Sequence, residues 1–251
     1  MTDDVILRTE GLTKAFRGFV AVRGVDLEVR RGSIHAMIGP NGAGKTTCFN
    51  LLTKFLEPTE GRITYDGRDI TRASPAAIAR MGMVRSFQIS AVFGHLTALE
   101  NVRVALQRDH GGCFDFWRSD AVLKRYDGRA RELLDAVGIL DFADVPAVEL
   151  PYGRKRALEL ATTLALEPEL MLLDEPTAGM GHEDVGRIAA LIKRMARGRT
   201  VLMVEHNLSV VADLSDRITV LARGEILAEG GYEEVSKNPA VVEAYMGSDH
   251  A

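Results

Sequence analysis

The sequence predicts an α/β fold: a parallel-sheet core, an N-terminal antiparallel β subdomain and an inserted α-helical subdomain. Three observations carry that expectation. Ser33-Ile34-His35-Ala36-Met37-Ile38 is an apolar run leading straight into a glycine-rich turn. Leu170-Met171-Leu172-Leu173 and Val201-Leu202-Met203-Val204 are short, unbroken apolar runs. That is the form of strands covered on both faces of a parallel sheet. From about Glu100 to Leu166 the apolar period becomes that of helices.

Taken in order, residues 5–30 alternate apolar runs with turn signals at Gly11, Arg17-Gly18 and Arg31-Gly32. Val5–Leu7 and Val25–Val29 are therefore expected as strands. A helix is expected over Thr46–Thr53, with its N-terminus facing the glycine turn. In the middle, Leu133, Leu134, Val137 and Leu140 mark one amphipathic face, and Leu158, Ala161, Leu164 and Ala165 another. Gly111-Gly112 and Asp127-Gly128 read as breaks between helices. Val185, Ile188, Leu191, Ile192 and Met195 recur at helical spacing between the two late apolar runs, giving a strand–helix–strand unit. Ile218–Leu221, Arg223-Gly224 and Glu225–Ala228 read as a hairpin. The tail from Val235 reads as a short helix with Val241, Val242 and Tyr245 on its apolar side. The chain thus divides into a core, 1–88 and 167–234, a helical subdomain, 89–166, and a C-terminal tail, 235–251.

With 251 residues the chain suits a single domain. A net charge of -4 gives no whole-chain reason to expect nucleic acid as a partner. Cys48 and Cys113 are its only cysteines, which makes no disulfide framework and points to a reducing compartment. The start, Met1-Thr2-Asp3-Asp4, is acidic, unlike the positive start of a signal peptide. No apolar run approaches the ~18 residues that span a bilayer. The expectation is a cytoplasmic chain. At a membrane, another chain would have to hold it.

Gly39-Pro40-Asn41-Gly42-Ala43-Gly44-Lys45-Thr46-Thr47 has the spacing glycine, four residues, Gly-Lys-Thr. A triphosphate is densely charged and needs many N–H donors close together. Glycines let backbone wrap it without side chains in the way, and the following helix adds its positive end. Lys45 is placed for the β- and γ-phosphates, and the Thr46 hydroxyl for Mg²⁺. Asp174 closes an apolar strand, which suits Mg²⁺ directly or through water. Glu175 follows it, as general base or water-positioner worth ~10²–10⁴-fold. His206 ends the next strand. Parallel sheets bind ligands at such carboxyl ends, so His206 is expected on the γ-phosphate. Gln88 stands where a strand gives way to the helical insert. His35, inside a strand, reads as a core residue.

The set formed by the glycine loop, Gln88, Leu150-Pro151-Tyr152-Gly153-Arg154, Asp174-Glu175-Pro176-Thr177 and His206 resembles the ATP-binding subunit of ABC transporters, over roughly residues 5–247. The resemblance implies a P-loop NTPase core of the RecA-like type that hydrolyses ATP with Mg²⁺. It implies that Gln88 touches Mg²⁺ and senses the membrane partner. It implies that Phe16 stacks on adenine, with Val22 beside it. Leu150–Arg154 matches the signature segment, usually Leu-Ser-Gly-Gly-Gln. That segment contacts the γ-phosphate of ATP held by a second copy in a head-to-tail dimer, which brings Leu150 and Gly153 among the binding residues. Pro151 replaces the signature serine, so a hydroxyl and an N–H are both missing. The Gly153 N–H and the positive end of the next helix remain. Gly181 stands where the family often has an aspartate.

Phe93–Val102 and Val242–Gly247 look like the branch that imports branched-chain or other hydrophobic amino acids. Urea and amide importers and a lipopolysaccharide-export ATPase share much of this pattern. The implied partners are a second ATPase subunit, membrane permease subunits and, indirectly, a periplasmic solute-binding protein, with the chain peripheral on the inner face of the membrane. Residues 89–97 would line the groove receiving the permease. An ABC ATPase acting on DNA or ribosomes would carry a long coiled coil or tandem modules, and neither is visible. A phosphotransferase would leave the signature segment unexplained.

Overall fold

The computed structural model describes residues 4–86, 92–107 and 120–246. β1 (Val5–Phe16), β2 (Phe19–Val25), β3 (Glu28–Arg30) and, after β4 (Ile34–Ile38) and α1 (Lys45–Leu52), β5 (Glu60–Tyr65) and β6 (Arg68–Asp69) come first. β1, β2, β3, β5 and β6 form an antiparallel sheet. α2 (Pro75–Arg80) and β7 (Met83–Ser86) follow, then α3 (Ala98–Leu106), α4 (Asp127–Ala136) and α5 (Tyr152–Leu164). The chain continues through β8 (Leu170–Asp174), α6 (His182–Met195), β9 (Thr200–Val204), α7 (Leu208–Leu214), β10 (Arg217–Ala222), β11 (Glu225–Gly230), α8 (Tyr232–Ser236) and α9 (Pro239–Met246).

The second sheet has the order β11-β10-β4-β9-β8-β7. All its pairings are parallel except that of β10 with β11. The strands read as continuous apolar runs because both faces are covered. Ile34, Ala36, Ile38, Met171, Leu173, Val201 and Met203 face a core shared with α3–α6. Met37, Leu170, Leu172, Leu202 and Val204 face a core shared with α1 and the antiparallel sheet. Successive residues point to opposite faces, so each strand feeds both cores.

Several expectations need correction. Gly11 does not end a strand. It lies inside β1 at φ +57°, where the register with β2 and β5 shifts around it. The strand expected over Val25–Val29 is broken at Asp26-Leu27 into the end of β2 and the start of β3. Leu27 turns there to donate its N–H to Thr9 Oγ1 at 2.9 Å. The tail is two helices rather than one, and Val242 is exposed while Val241 is buried. Asp127-Gly128 opens α4 rather than preceding it. Gly111-Gly112 lies outside the described residues. Among the described residues no helix is long and apolar enough to cross a membrane.

His35 is fully buried in β4, with Nε2 2.7 Å from Thr219 Oγ1. Burial pushes its pKa down from 6.5 to about 4, more than the nearby Glu229 pulls it back. The unfolded chain therefore takes up a proton near pH 6.5 and the folded chain only near 4. In that window acid favours unfolding, so the neutral ring's stabilisation is complete above about pH 6.5 and is lost as pH falls toward 4. His35→Gln is expected to unfold at temperatures that vary less between pH 5 and pH 7.5 than those of the natural chain. Equal pH dependence in thermal melts of both proteins would refute this.

Candidate functional site

The glycine loop is pressed between two sheets. Gly39 leaves β4 at φ +150°, and a Cβ there would lie 2.1 Å from the Leu221 carbonyl oxygen of β10. Gly44 precedes α1 at φ +99°, and a Cβ there would lie 2.5 Å from the Ala21 carbonyl oxygen of β2. Val22, buried, sits behind that glycine. Only glycine satisfies both the backbone angles and the space. No side chain caps α1 and no acidic residue stands in its first turn, so its leading N–H groups are open to an anion. Thr46 is exposed in that first turn and Thr47 half-buried.

Lys45 is buried and turns back on its own loop. Its Nζ donates to Gly39 O at 2.7 Å and Pro40 O at 2.9 Å. Burial lowers its pKa, while Glu175 acts in the other direction. The far end of the chain also reaches the loop. A backbone hydrogen bond joins Gly39 to the Tyr245 hydroxyl, whose pKa burial raises. Tyr245, expected on an apolar face, thus also carries a polar contact.

β8 delivers two carboxylates with separate partners. The Asp174 carboxylate pairs with Arg85 of β7. Arg85 also donates to Asn50 Oδ1 of α1 at 2.7 Å and packs over the rings of Phe49 and Phe55. Glu175 holds φ +45°, and its N–H donates to Val204 O at 2.9 Å. Its Oε1 lies 2.8 Å from His206 Nε2. His206 and Glu175 are thus brought together, and Lys45 lies within electrostatic reach of Glu175.

Sequence reasoning passed over Glu205. It is buried and accepts four hydrogen bonds: from Thr177 N–H at 3.0 Å, Thr177 Oγ1 at 2.5 Å, His206 N–H at 2.9 Å and Asn207 N–H at 3.1 Å. It therefore sews the turn after β8 to the turn after β9. The available signal was a carboxylate placed directly after a five-residue strand that is wholly buried.

The other expected residues lie around this centre. Phe16 ends β1 with 43% of its surface exposed, and the Lys14 ammonium is 5.2 Å from its ring centroid. Leu150 is buried, and its N–H donates to Ala147 O at 3.3 Å. Pro151 precedes α5, and Gly153 lies in its first turn against the Asp184 carboxylate. The Tyr152 hydroxyl donates to Ala178 O at 2.9 Å, tying α5 to the segment after β8. Gly181 precedes α6. Gln88 lies outside the described residues. An apolar cleft of about 270 Å³ opens beside Phe55, Ile78, Arg85, Glu159 and Leu166. Phe93 is exposed.

Hard oxygen donors, Thr46 and Asp174, are the kind Mg²⁺ takes, and Mg²⁺ relies on one or two protein oxygens plus substrate phosphates and water. Among the described residues no group of three or more His, Cys, Asp or Glu could hold a metal by itself. The uncapped, glycine-lined loop fits a polyphosphate.

Residues 22–178 match the family described as ABC transporter, and residues 225–251 the family described as branched-chain amino acid ATP-binding cassette transporter. The chain is 40% identical to the high-affinity branched-chain amino acid transport ATP-binding protein BraF of Pseudomonas aeruginosa, across 96% of this chain and 98% of that one. It is 38% identical to LivG of Escherichia coli, which carries the same description, with the same coverage. Among solved structures, an ATP-binding cassette of an ABC transporter in its ADP conformation superposes with a TM-score of 0.83 at 31% identity, covering 97% of this chain and 99% of that one. A dimeric cassette bound to ADP and Pi superposes at 0.76 with 25% identity, covering 90% and 98%.

Glu205→Gln turns one of the two acceptor oxygens into a donor amide. Buried donors left without acceptors cost about 1–3 kcal/mol each, so the expected loss of unfolding free energy is about 2–4 kcal/mol. Denaturant titration measures it. A loss under ~1 kcal/mol would mean that the four donors find other acceptors.

Proposed function

The chain belongs to the ATP-binding proteins of ABC transporters, and from that membership we propose that it powers the import of branched-chain or other hydrophobic amino acids. The observation that carries the proposal is the full-length likeness to BraF and LivG, continued by the C-terminal match over residues 225–251. Urea, amide and lipopolysaccharide transport are the competing cargoes within the same family.

In this reading the loop Gly39–Thr47 would hold the β- and γ-phosphates of ATP, with Lys45 turning from its own carbonyls to the phosphates. Phe16 would stack on the adenine, and Val22 supports the loop from behind. Thr46, Asp174 and Gln88 would hold Mg²⁺, which neutralises phosphate charge when bound. Glu175 would orient and deprotonate the attacking water, an effect worth ~10²–10⁴-fold. His206 steadies the Glu175 carboxylate at 2.8 Å and would reach the γ-phosphate.

Dimeric neighbours support a pair of cassettes. In a head-to-tail pair, Leu150, the Gly153 N–H and the start of α5 would face the nucleotide of the second subunit. A nucleotide-binding core over 1–88 and 167–234, a helical subdomain over 89–166 and a C-terminal tail over 235–251 are the proposed working parts. The permease subunits would dock at the apolar cleft beside Arg85 and Phe55 and at residues 89–97. This would hold the chain on the inner face of the membrane, with a periplasmic solute-binding protein acting through the permeases.

The direct test is ATP-dependent uptake into vesicles carrying the chain with its permease subunits and binding protein. Leucine, isoleucine or valine should accumulate, and urea or amides should not. The reverse preference would overturn the cargo assignment. Glu175→Gln is expected to slow turnover by about 10²-fold or more while keeping ATP affinity and accumulating an ATP-bound dimer. Undiminished phosphate release would refute the role of Glu175. Pro151→Ser restores a donor at the start of α5, and its turnover should equal or exceed that of the natural chain. A large loss would show that the proline has a role of its own.

A further inference from the structure

Glu175 occupies a backbone conformation that residues with a Cβ avoid. Its φ of +45° lies in the left-handed region, a strain that the surroundings must offset. Two restraints come from β9 and the turn that follows it. The Glu175 N–H is bonded to Val204, and Thr177 to Glu205. The third restraint comes from α5. Arg156 donates from Nη2 to Asp174 O at 3.0 Å and from Nε to Pro176 O at 3.2 Å. These carbonyls belong to the residues immediately before and after Glu175, so one guanidinium grips the backbone on both sides of it.

The remaining arm of the fork is also taken. Arg156 Nη1 donates to Glu159 Oε2 at 2.5 Å, from three residues earlier on the same helix. Both residues are buried, at 3% and 1% exposure. A planar fork with fixed donor directions can serve two carbonyls and a carboxylate at once, and an ammonium cannot. Glu159 Oε1 has no hydrogen-bond partner among the described residues. Burial raises the Glu159 pKa to about 7, against the pull of Arg156. A buried ion pair of this kind gains little stability over an apolar pair of the same volume. Stability therefore does not explain the pair, whereas its grip on the two carbonyls does.

We propose that Arg156, aligned by Glu159, is a positioning residue that sets the backbone of Glu175 for hydrolysis. Through it the placement of α5 governs turnover. Arg156 makes no hydrogen bond to the loop Gly39–Thr47 among the described residues, so nucleotide affinity is set independently. The proposal rests on the reading of Glu175 as the group that orients the attacking water.

The test compares four versions of the full-length chain: Arg156→Lys, Arg156→Met, Arg156→Met with Glu159→Met, and Glu175→Gln as the reference. Misplacing a catalytic group by about 1 Å costs up to 10²-fold, so Arg156→Lys is expected to lower kcat by about tenfold or more, with KM for ATP and nucleotide Kd changed less than about twofold. Arg156→Met leaves a buried carboxylate unpaired and can fail to fold. The double variant removes both charges and keeps a measurable protein. It should melt above Arg156→Met, bind nucleotide normally and show the same depressed kcat as Arg156→Lys. A kcat within about twofold of the natural chain in Arg156→Lys or in the double variant would overturn the proposal. So would parallel losses in kcat and nucleotide affinity. If Glu175→Gln is inactive while the Arg156 variants turn over normally, only the positioning role fails. If Glu175→Gln turns over normally, the role of Glu175 fails and the proposal with it.

Discussion

The parallel pairing of β4, β9 and β8 is the constraint on which the rest of the site depends. Met37 and Asp174 both pair with Val204, so the three strands end level with one another. Each strand is buried on both faces, and polar groups can leave the sheet only at its ends. Gly39, Glu175 and Glu205 are the first residues past those ends. Two sheet-like bonds continue beyond them, Glu175 N–H to Val204 O at 2.9 Å and Glu205 N–H to Met37 O at 3.4 Å. The glycine loop, the two acidic turns and His206 therefore share one rim for a reason of backbone geometry.

That rim gathers several carboxylates in a small space, and the fold keeps them from repelling one another by giving each its own kind of partner. Asp174 has the Arg85 guanidinium, Glu175 has the His206 ring, and Glu205 has three backbone N–H groups and a hydroxyl. Glu205 thus finds its partners without a cation, and Lys45 acts toward Glu175.

How much of this was legible in the sequence follows from which interactions are local. β4, β8 and β9 announce themselves as apolar runs, and the Arg223-Gly224 turn marks the β10–β11 hairpin. The glycine loop is legible because its angles and its close neighbours admit no other residue at Gly39 and Gly44. The twelve-residue β1 was not legible, because Gly11 looks like a terminator until β2 and β5 are seen to shift register around it. Glu205, Arg85 and Arg156 escaped for a related reason. Each bonds a residue distant in sequence, Thr177, Asp174 and Pro176 among them, and no local period records such pairs. Val242 was misjudged because helical spacing shows which residues share a face, not whether anything lies against it.

The two halves of the site are held by different parts of the molecule. The loop is pinned by Leu221 and Ala21 from the two sheets, braced internally by Lys45 and touched by Tyr245 from α9. Such a loop is already shaped, so ordering it on nucleotide binding costs little conformational entropy. Glu175 is held in part by α5, which packs with α3 and α4 and begins at the signature segment. A shift of α5 relative to β8 would reach Glu175 through Arg156 and Tyr152 and leave the loop's own contacts in place. Under the proposed role of Arg156, binding the nucleotide and cleaving it are mechanically separable steps in this fold.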